Sequence, residues 1–216
     1  MDKIAVLASG GLDSCVLLAE EAETAEVYPV YVRCGLAWEE NEREALAAFL
    51  QALNHPNVRP ITTLSAPIGA IYGGHWSVSG EAVPGAEEPD SAVYLPGRNI
   101  LLIALTAVWC STHDVSRIAI GSLAGNPFPD ATPQFFSDFA SALSSGLNHP
   151  IEVKAIFGNL RKWELIKRFG HLPLGSTLTC MAPRGQKHCG QCNKCRERQI
   201  AFEKAGVADP TDYARP

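Results

Sequence analysis

Residues 4–14 read IAVLASGGLDS, and this stretch decides the fold of the chain. The aliphatic run 4–8 is typical of a short buried strand, and the two glycines permit a tight turn before an apolar helix begins. Amides of the turn and of the first helical turn then point at one spot, where they favour an anion. We expect Ser9 and Ser14 to add hydroxyl donors, and Asp13 to meet a phosphate through Mg²⁺ carried by a nucleotide.

The glycine turn lacks the Lys-Ser/Thr pair of a Walker P-loop. The string SGGLDS instead resembles the PP-loop of the ATP pyrophosphatases, which cleave ATP between the α and β phosphates. The alternative is an ordinary strand-to-helix turn that contains two glycines. The resemblance implies an ATP-binding set made of this loop and the end of the second strand, namely Ala8, Ser9, Gly10, Gly11, Leu12, Asp13, Ser14, Val32 and Arg33.

Length and charge restrict the class of protein. The 216 residues carry a net charge of −5 with the signs interspersed, so the chain has no electrostatic footprint for duplex nucleic acid. We expect no signal peptide, because only five apolar residues follow Asp2-Lys3, and no membrane partner, because the longest apolar run, 100–110, is too short to span a bilayer. These features favour a cytoplasmic protein with a small charged ligand, and a homodimer is left open.

Strand-like and helical patterns alternate along the chain. This alternation predicts βαβ units, and therefore an α/β fold with a Rossmann-like parallel sheet and helices on both faces. Ligands of such folds bind at the carboxyl ends of the strands, which is where the glycine loop lies. The predicted strands fall near 3–8, 27–32, 58–63 and 115–121, and predicted helices cover 100–110 and about 133–147.

Residues 65–97 interrupt this alternation with a high density of Gly and Pro. Because aromatic side chains and a histidine are interspersed, a lid or substrate wall is favoured over a disordered linker. Arg98 follows at the start of a helix, where a cation opposes the helix dipole. Contact with a phosphate would explain this position, and a surface arginine is the alternative.

Four cysteines follow the spacing C-x8-C-x2-C-x2-C, which suits a tetrahedral structural zinc site. The rival interpretation is a [4Fe–4S] cluster, but the x3-Cys-Pro continuation of that pattern is missing. Zinc is therefore favoured, and we divide the chain into an ATP-binding domain at 1–170 and a small zinc-binding helical segment at 171–216. The predicted zinc ligands are Cys180, Cys189, Cys192 and Cys195, while Cys15, Cys34 and Cys110 are expected to pack in the core.

Taken together, the glycine loop and the cysteine cluster resemble the 7-cyano-7-deazaguanine synthases, enzymes on the route to queuosine and archaeosine. The resemblance spans nearly the whole chain. It rests on SGGLDS at 9–14, PGRN at 96–99, FPD at 128–130, KWEL at 162–165, TLTC at 177–180, the cysteine cluster and the tail that ends at Asp209-Pro210.

The resemblance implies an ATP-dependent ligase that forms a C–N bond. Such an enzyme adenylates 7-carboxy-7-deazaguanine, lets ammonia displace AMP to give the amide, and adenylates the amide to give the nitrile. The implied cofactors are ATP, Mg²⁺ and Zn²⁺, and the implied partners are ammonia and a deazapurine-like carboxylic acid. The implied catalytic residues are Ser9, Asp13, Ser14, Arg98 and Lys162, although Lys162 has the alternative of being a helix-surface lysine.

The chain departs from the family pattern where the base should lie. After the fourth strand the family has Asp-x-Ser-Gly-Tyr-Pro-Asp-Cys-Arg, whereas here the leading Asp is absent and Ala131-Thr132 replaces Cys-Arg. After the second strand the family has Gln-Arg-His, and this chain does not. Two alternatives therefore stay open: a related PP-loop enzyme that adenylates another acid and couples it to another nucleophile, and a zinc-knuckle tRNA-binding or tRNA-thiolating protein.

We further expect three segments at the ligand edge to form one pocket for a flat heteroaromatic acid. They are the 65–97 insertion, residues 33–39 and the 122–132 loop. Trp38, Trp76 and Phe128 would supply stacking faces, and Ser122, Asn126 or Asp130 the polar contacts.

Overall fold

The computed structural model describes residues 1–215 and centres on a five-stranded sheet. The strands are β1 Lys3–Leu7, β2 Glu26–Arg33, β3 Thr62–Ser65, β4 Arg117–Ala119 and β5 Glu152–Lys154. The strand order is β3-β2-β1-β4-β5, and every neighbouring pair is parallel. The order reverses between β1 and β4, and such a switch point is where doubly wound sheets bind ligands.

Helices cover both faces of the sheet, which confirms the predicted Rossmann-like α/β fold. The helices are α1 Leu12–Ala22, α2 Glu39–Leu53, α3 Gly69–Tyr72, α4 Trp76–Ser79, α5 Arg98–Thr112, α6 Pro133–Leu147, α7 Lys162–Phe169 and α8 Asn193–Ala205. Side chains of α5 and α6 pack on one face with Ala5 and Leu7, and side chains of α1, α2, α7 and α8 pack on the other with Ile4 and Val6. This alternation along β1 is the period-two pattern of a strand buried on both sides. No helix within residues 1–215 is long and apolar enough to cross a membrane.

Two strands differ from the sequence prediction. The third strand was expected at 58–63 but lies at Thr62–Ser65, and Val58 makes only an isolated bridge to Val27. The fifth strand, Glu152–Lys154, was not predicted, because its three residues contain a single apolar side chain. Both are short edge strands of the sheet, so pairing with a neighbour, rather than a local apolar run, defines them.

The 65–97 insertion folds into α3, α4 and a 3₁₀ turn at Asp90–Val93. Backbone hydrogen bonds fasten it to the rest of the molecule. The N–H of Ala37 donates to the carbonyl of Ser77 over 2.9 Å, and the N–H of Asn193 donates to the carbonyl of Pro84 over 3.0 Å. The insertion therefore forms a wall between the sheet domain and the cysteine-rich end of the chain.

The C-terminal region returns to the beginning of the chain. Helix α8 packs along α7, and the backbone N–H of Leu178 donates to the carbonyl of Gly10 over 2.8 Å. The predicted boundary at residue 170 thus falls where two closely packed parts of the molecule meet, and the division into two domains stays a prediction.

Candidate active site

The glycine loop between β1 and α1 is held in shape by its own serines. The hydroxyl of Ser14 accepts from the backbone N–H of Ser9 over 3.2 Å and donates to the carbonyl of Gly11 over 3.1 Å. Gly10 has a φ of +75°, and a Cβ at this position would collide with the backbone carbonyl of Glu42 in α2. Glycine is therefore required at position 10 by both its conformation and the close approach of a neighbouring helix.

A cavity of about 790 Å³ opens above this loop at the carboxyl edge of the sheet. Its floor is the glycine loop, and its walls come from the ends of β1 and β2, the 65–97 insertion, the loop after β4, the starts of α5 and α7 and one face of α8. Three segments expected from the sequence to share a pocket therefore meet here. The polar residues among them divide: Ser122 and Asn126 line the cavity, whereas Asp130 accepts from the backbone N–H of Asn99 over 3.1 Å.

Charged side chains of both signs line the cavity, six cations and five carboxylates. Cations at the carboxyl edge of a sheet, beside the free amides of a helix N-terminus, suit a polyanionic ligand. Only two of them, Arg98 and Lys162, were identified from the sequence. The cationic residues that line the cavity are Arg98, Arg161, Lys162, Lys194, Arg196 and Lys204, and the carboxylates are Asp13, Glu42, Glu88, Asp90 and Glu197.

Lys162 joins two carboxylates from distant parts of the chain. Its Nζ lies 3.2 Å from Oδ2 of Asp13 and 2.8 Å from Oε1 of Glu197. Burial disfavours the ammonium, but the two carboxylates outweigh it and raise the pKa of Lys162. Burial likewise raises the pKa of Asp13, against the opposing charge of Lys162. Lys162 is therefore a firmly charged group at the cavity floor rather than a helix-surface lysine.

A second polar cluster surrounds Glu42, which sequence reasoning missed. Its carboxylate accepts from the Tyr31 hydroxyl over 2.9 Å and from Trp38 Nε1 over 3.0 Å, and it lies 4.0 Å from Nη2 of Arg98. Burial raises the pKa of Glu42, and the charge of Arg98 opposes this rise. Nε of Arg98 is buried and has no hydrogen-bond partner in the described part of the chain, so the guanidinium retains a free donor at the cavity wall.

Aromatic rings cover one wall of the cavity. Trp38 stacks on Trp76 with ring centroids 5.7 Å apart and planes 13° apart, and Tyr94 stacks on Phe128 at 4.8 Å and 25°. Trp38 is only 4% exposed and lies behind Trp76. Trp76 and Phe128 are thus the rings of the expected stacking set that remain accessible to a ligand.

Most residues of the predicted ATP-binding set line the cavity. The exceptions are Gly10, which packs against α2, and Arg33, whose guanidinium binds Glu39 and Glu40 over 2.7 Å each. The members of the predicted catalytic and ATP-binding sets found in the lining are Ala8, Ser9, Gly11, Leu12, Asp13, Ser14, Val32, Arg98 and Lys162.

The four cysteines of the C-terminal segment come together as their spacing predicts. All four Sγ atoms lie within 4.8 Å of one another, and all four residues are buried. The thiols of Cys180 and Cys195 lower the pKa of Cys192 well below its ordinary value, so a thiolate is favoured in the cluster. The Sγ of Cys180 also accepts the backbone N–H of Cys189 over 3.2 Å. Four convergent buried sulfurs are the donor set of a tetrahedral site, so the cluster is suited to hold a metal ion such as zinc.

The cysteines Cys15, Cys34 and Cys110 are buried and free, as expected from the sequence. Burial raises the pKa of Cys110 to about 12 and also raises the pKa values of Cys15 and Cys34. These thiols are therefore held in the unreactive form.

A search of solved structures confirms the fold class at low sequence identity. A predicted subunit of tRNA methyltransferase from Methanocaldococcus jannaschii aligns with a TM-score of 0.50 and 12% identity. The alignment covers 100% of this chain and 93% of that protein. At this identity the likeness concerns the fold alone.

Curated relatives are named 7-cyano-7-deazaguanine synthase. The proteins from Koribacter versatilis and Acidobacterium capsulatum are 32% and 29% identical, over 98% and 99% of this chain and 93% and 97% of their own lengths. A relative from Sulfolobus acidocaldarius is 32% identical over 98% of this chain, which spans about half, 48%, of that protein. The family model for the queuosine biosynthesis protein QueC matches residues 3–206. From the glycine loop to the cysteine cluster, the chain belongs to the QueC family.

Proposed function

We propose that this chain converts 7-carboxy-7-deazaguanine and ammonia into 7-cyano-7-deazaguanine and cleaves ATP to AMP and pyrophosphate. The observation that carries the proposal is the SGGLDS loop at the floor of a cavity lined by six cations. The name of the curated relatives supports the substrate assignment, and the loop's lack of a Walker lysine supports cleavage between the α and β phosphates.

In this mechanism the glycine loop and the N-terminus of α1 bind the pyrophosphate part of ATP. The free amides and the hydroxyls of Ser9 and Ser14 donate to phosphate oxygens. The buried Oδ1 of Asp13 has no hydrogen-bond partner among residues 1–215, which fits a carboxylate that accepts a cation brought by the nucleotide. A bound Mg²⁺ would neutralise phosphate charge there.

The oxygen of a carboxylate or an amide is a poor leaving group, so the reaction must first convert it into a phosphate ester. The substrate carboxylate attacks the α phosphorus, pyrophosphate leaves, and ammonia then attacks the acyl carbon and expels AMP to give the amide. The amide oxygen attacks a second ATP in the same way, and loss of AMP and a proton leaves the nitrile. The protein orients the reactants and stabilises charge, and we assign this role to Lys162 and Arg98, which both line the cavity.

A second candidate is adenylation of a different acid followed by coupling to another nucleophile. It is supported by one wall of the cavity, because the Trp38 ring is covered by Trp76. Trp38 lies in the segment after β2, which departs from the family pattern. The ATP-binding floor is the same for either candidate, and the two differ in the organic acid and in the nucleophile.

The test is incubation of the purified chain with ATP, ¹⁵N-ammonia and 7-carboxy-7-deazaguanine, read by mass spectrometry and nucleotide chromatography. We expect a nitrile that contains one ¹⁵N, with AMP and pyrophosphate as the nucleotide products. Asp13→Asn should lose this activity, since it removes the charge expected to bind the cation. ADP as the main product would contradict the whole assignment, whereas AMP formed only with another acid would favour the second candidate.

A further inference from the structure

Glu197 connects the cysteine-rich segment to the cavity floor, although no motif singled it out. It lies on α8, two residues after Cys195, and both of its carboxylate oxygens are occupied. Oε1 lies 2.8 Å from Nζ of Lys162, and Oε2 lies 2.8 Å from Nζ of Lys194. Lys162 in turn lies 3.2 Å from Oδ2 of Asp13, so four charged groups form one chain of contacts.

The two carboxylates that contact Lys162 differ in whether they keep an oxygen free to bind a further group. Glu197 has no free oxygen, whereas Asp13 contacts Lys162 through Oδ2 and keeps a buried Oδ1 without a hydrogen-bond partner in residues 1–215. A buried carboxylate oxygen without a partner is costly. The free oxygen therefore points to a ligand that the folded chain alone does not supply.

We propose that Glu197 is a positioning residue that shares the charge of Lys162 and thereby leaves Asp13 able to bind the Mg²⁺ of Mg·ATP. The inference rests on the proposed function, because it takes ATP as the ligand of the glycine loop. Within the described residues, Asp13 and Glu197 are the carboxylates that contact Lys162. Without the charge of Glu197, the ammonium would pair with Asp13 alone and would compete with the metal ion for it.

Because of this arrangement, Glu197→Gln should weaken the binding of Mg²⁺ and should not weaken the binding of metal-free nucleotide. The wild-type group of Asp13, Glu197, Lys162 and Lys194 has two negative and two positive charges, and the variant leaves one positive charge in excess. An excess positive charge repels Mg²⁺ and attracts the phosphates of metal-free ATP. Loss of structure at α8 would instead weaken both kinds of binding.

The experiment is calorimetric titration with an ATP analogue that carries a methylene bridge between the α and β phosphates. Zinc-loaded protein is titrated without Mg²⁺ and then at increasing Mg²⁺ concentrations. We expect Glu197→Gln to raise the half-saturating Mg²⁺ concentration about tenfold, the scale of one lost interaction with a charged group. Binding of the metal-free analogue should be unchanged or tighter.

Two variants control for folding. Glu203→Gln makes the same change at an exposed position of the same helix and should leave both titrations as in wild type. Glu197→Asp keeps the charge and should restore most of the Mg²⁺ dependence. An unchanged Mg²⁺ dependence in Glu197→Gln, or an equal weakening with and without Mg²⁺, would overturn the role of Glu197 alone. If the unmodified chain binds no Mg·ATP analogue, the proposed function and this inference fail together.

Discussion

Arg198 is the residue whose replacement tests most directly how the C-terminal segment is held. It lies on α8, three residues after Cys195, and it is fully buried, at 0% exposure. The three shortest hydrogen bonds of its guanidinium are donated to Thr177 Oγ1 over 2.9 Å, to the carbonyl of Leu174 over 2.8 Å and to Thr211 Oγ1 over 2.6 Å. We expect Arg198→Met, which keeps the apolar stem and removes every donor, to loosen all three attachments.

The expected loss can be worked from these contacts. Three hydrogen bonds from a charged donor contribute roughly 1.5 kcal/mol each at the lower end of the usual range. Desolvation recovered by removing the buried guanidinium offsets part of this sum, and removal of one partner from a buried charged contact costs about 3–5 kcal/mol net. The free energy of unfolding should therefore fall by about 3 kcal/mol.

Urea unfolding of zinc-saturated protein measures this loss, with a shift in midpoint at constant slope as the expected form. Arg196→Met is the matched control, because Arg196 lies two residues away on the same helix and is exposed. That control should change the unfolding free energy by less than about 0.5 kcal/mol. A loss below about 1 kcal/mol in Arg198→Met, or equal losses in both variants, would refute the reasoning.

Three further predictions concern the loop, the cluster and the aromatic wall. Gly10 and Gly35 both have a positive φ, but only a Cβ at position 10 would meet backbone atoms. In denaturant unfolding, Gly35→Ala should therefore lower the free energy of unfolding by ~1 kcal/mol and Gly10→Ala by several times as much. Equal losses would contradict this. Cys195→Ser should lower bound zinc below the about one ion per chain expected of wild type in elemental analysis, and stoichiometric iron and sulfide in wild type would contradict a zinc site. Trp76→Ala should raise KM for the acid more than about tenfold with little change in KM for ATP, and an unchanged KM for the acid would exclude stacking on this ring.

The sequence was sufficient for the elements whose signals are local. The strand, glycine turn and helix of residues 4–14 form as expected, and α6 begins at Pro133 because Thr132 caps it, with its hydroxyl accepting the N–H of Phe135 over 3.1 Å. The fifth strand escaped prediction because Glu152–Lys154 has one inward-facing apolar residue and exists through pairing with β4. Short edge strands are defined by their partners, so a single sequence does not reveal them.

The candidate site likewise has residues that the sequence predicts from local signals and residues that it does not predict. The cysteine spacing placed four sulfurs together because all ligands lie within sixteen residues, and α8 itself begins at that cluster. Glu42 and Glu197 were missed because nothing local marks them. Each becomes part of the cavity only when a helix from elsewhere in the chain packs beside the glycine loop, which is a tertiary contact.

Helix α8 shows which part of the cavity wall the spacing of residues in the sequence can predict. One set of its residues is buried toward the interior, and another set, whose members recur at intervals of three and four residues, lines the cavity. That spacing is the period of one helical face, so the sequence could assign these residues to a common stripe but could not say what the stripe faces. The contact of Leu178 with Gly10, which brings the end of the chain back to the loop, turns that stripe into a wall of the cavity. The cavity-lining residues of α8 are Asn193, Lys194, Arg196, Glu197, Ile200, Ala201 and Lys204, and the interior ones include Cys195, Arg198 and Phe202.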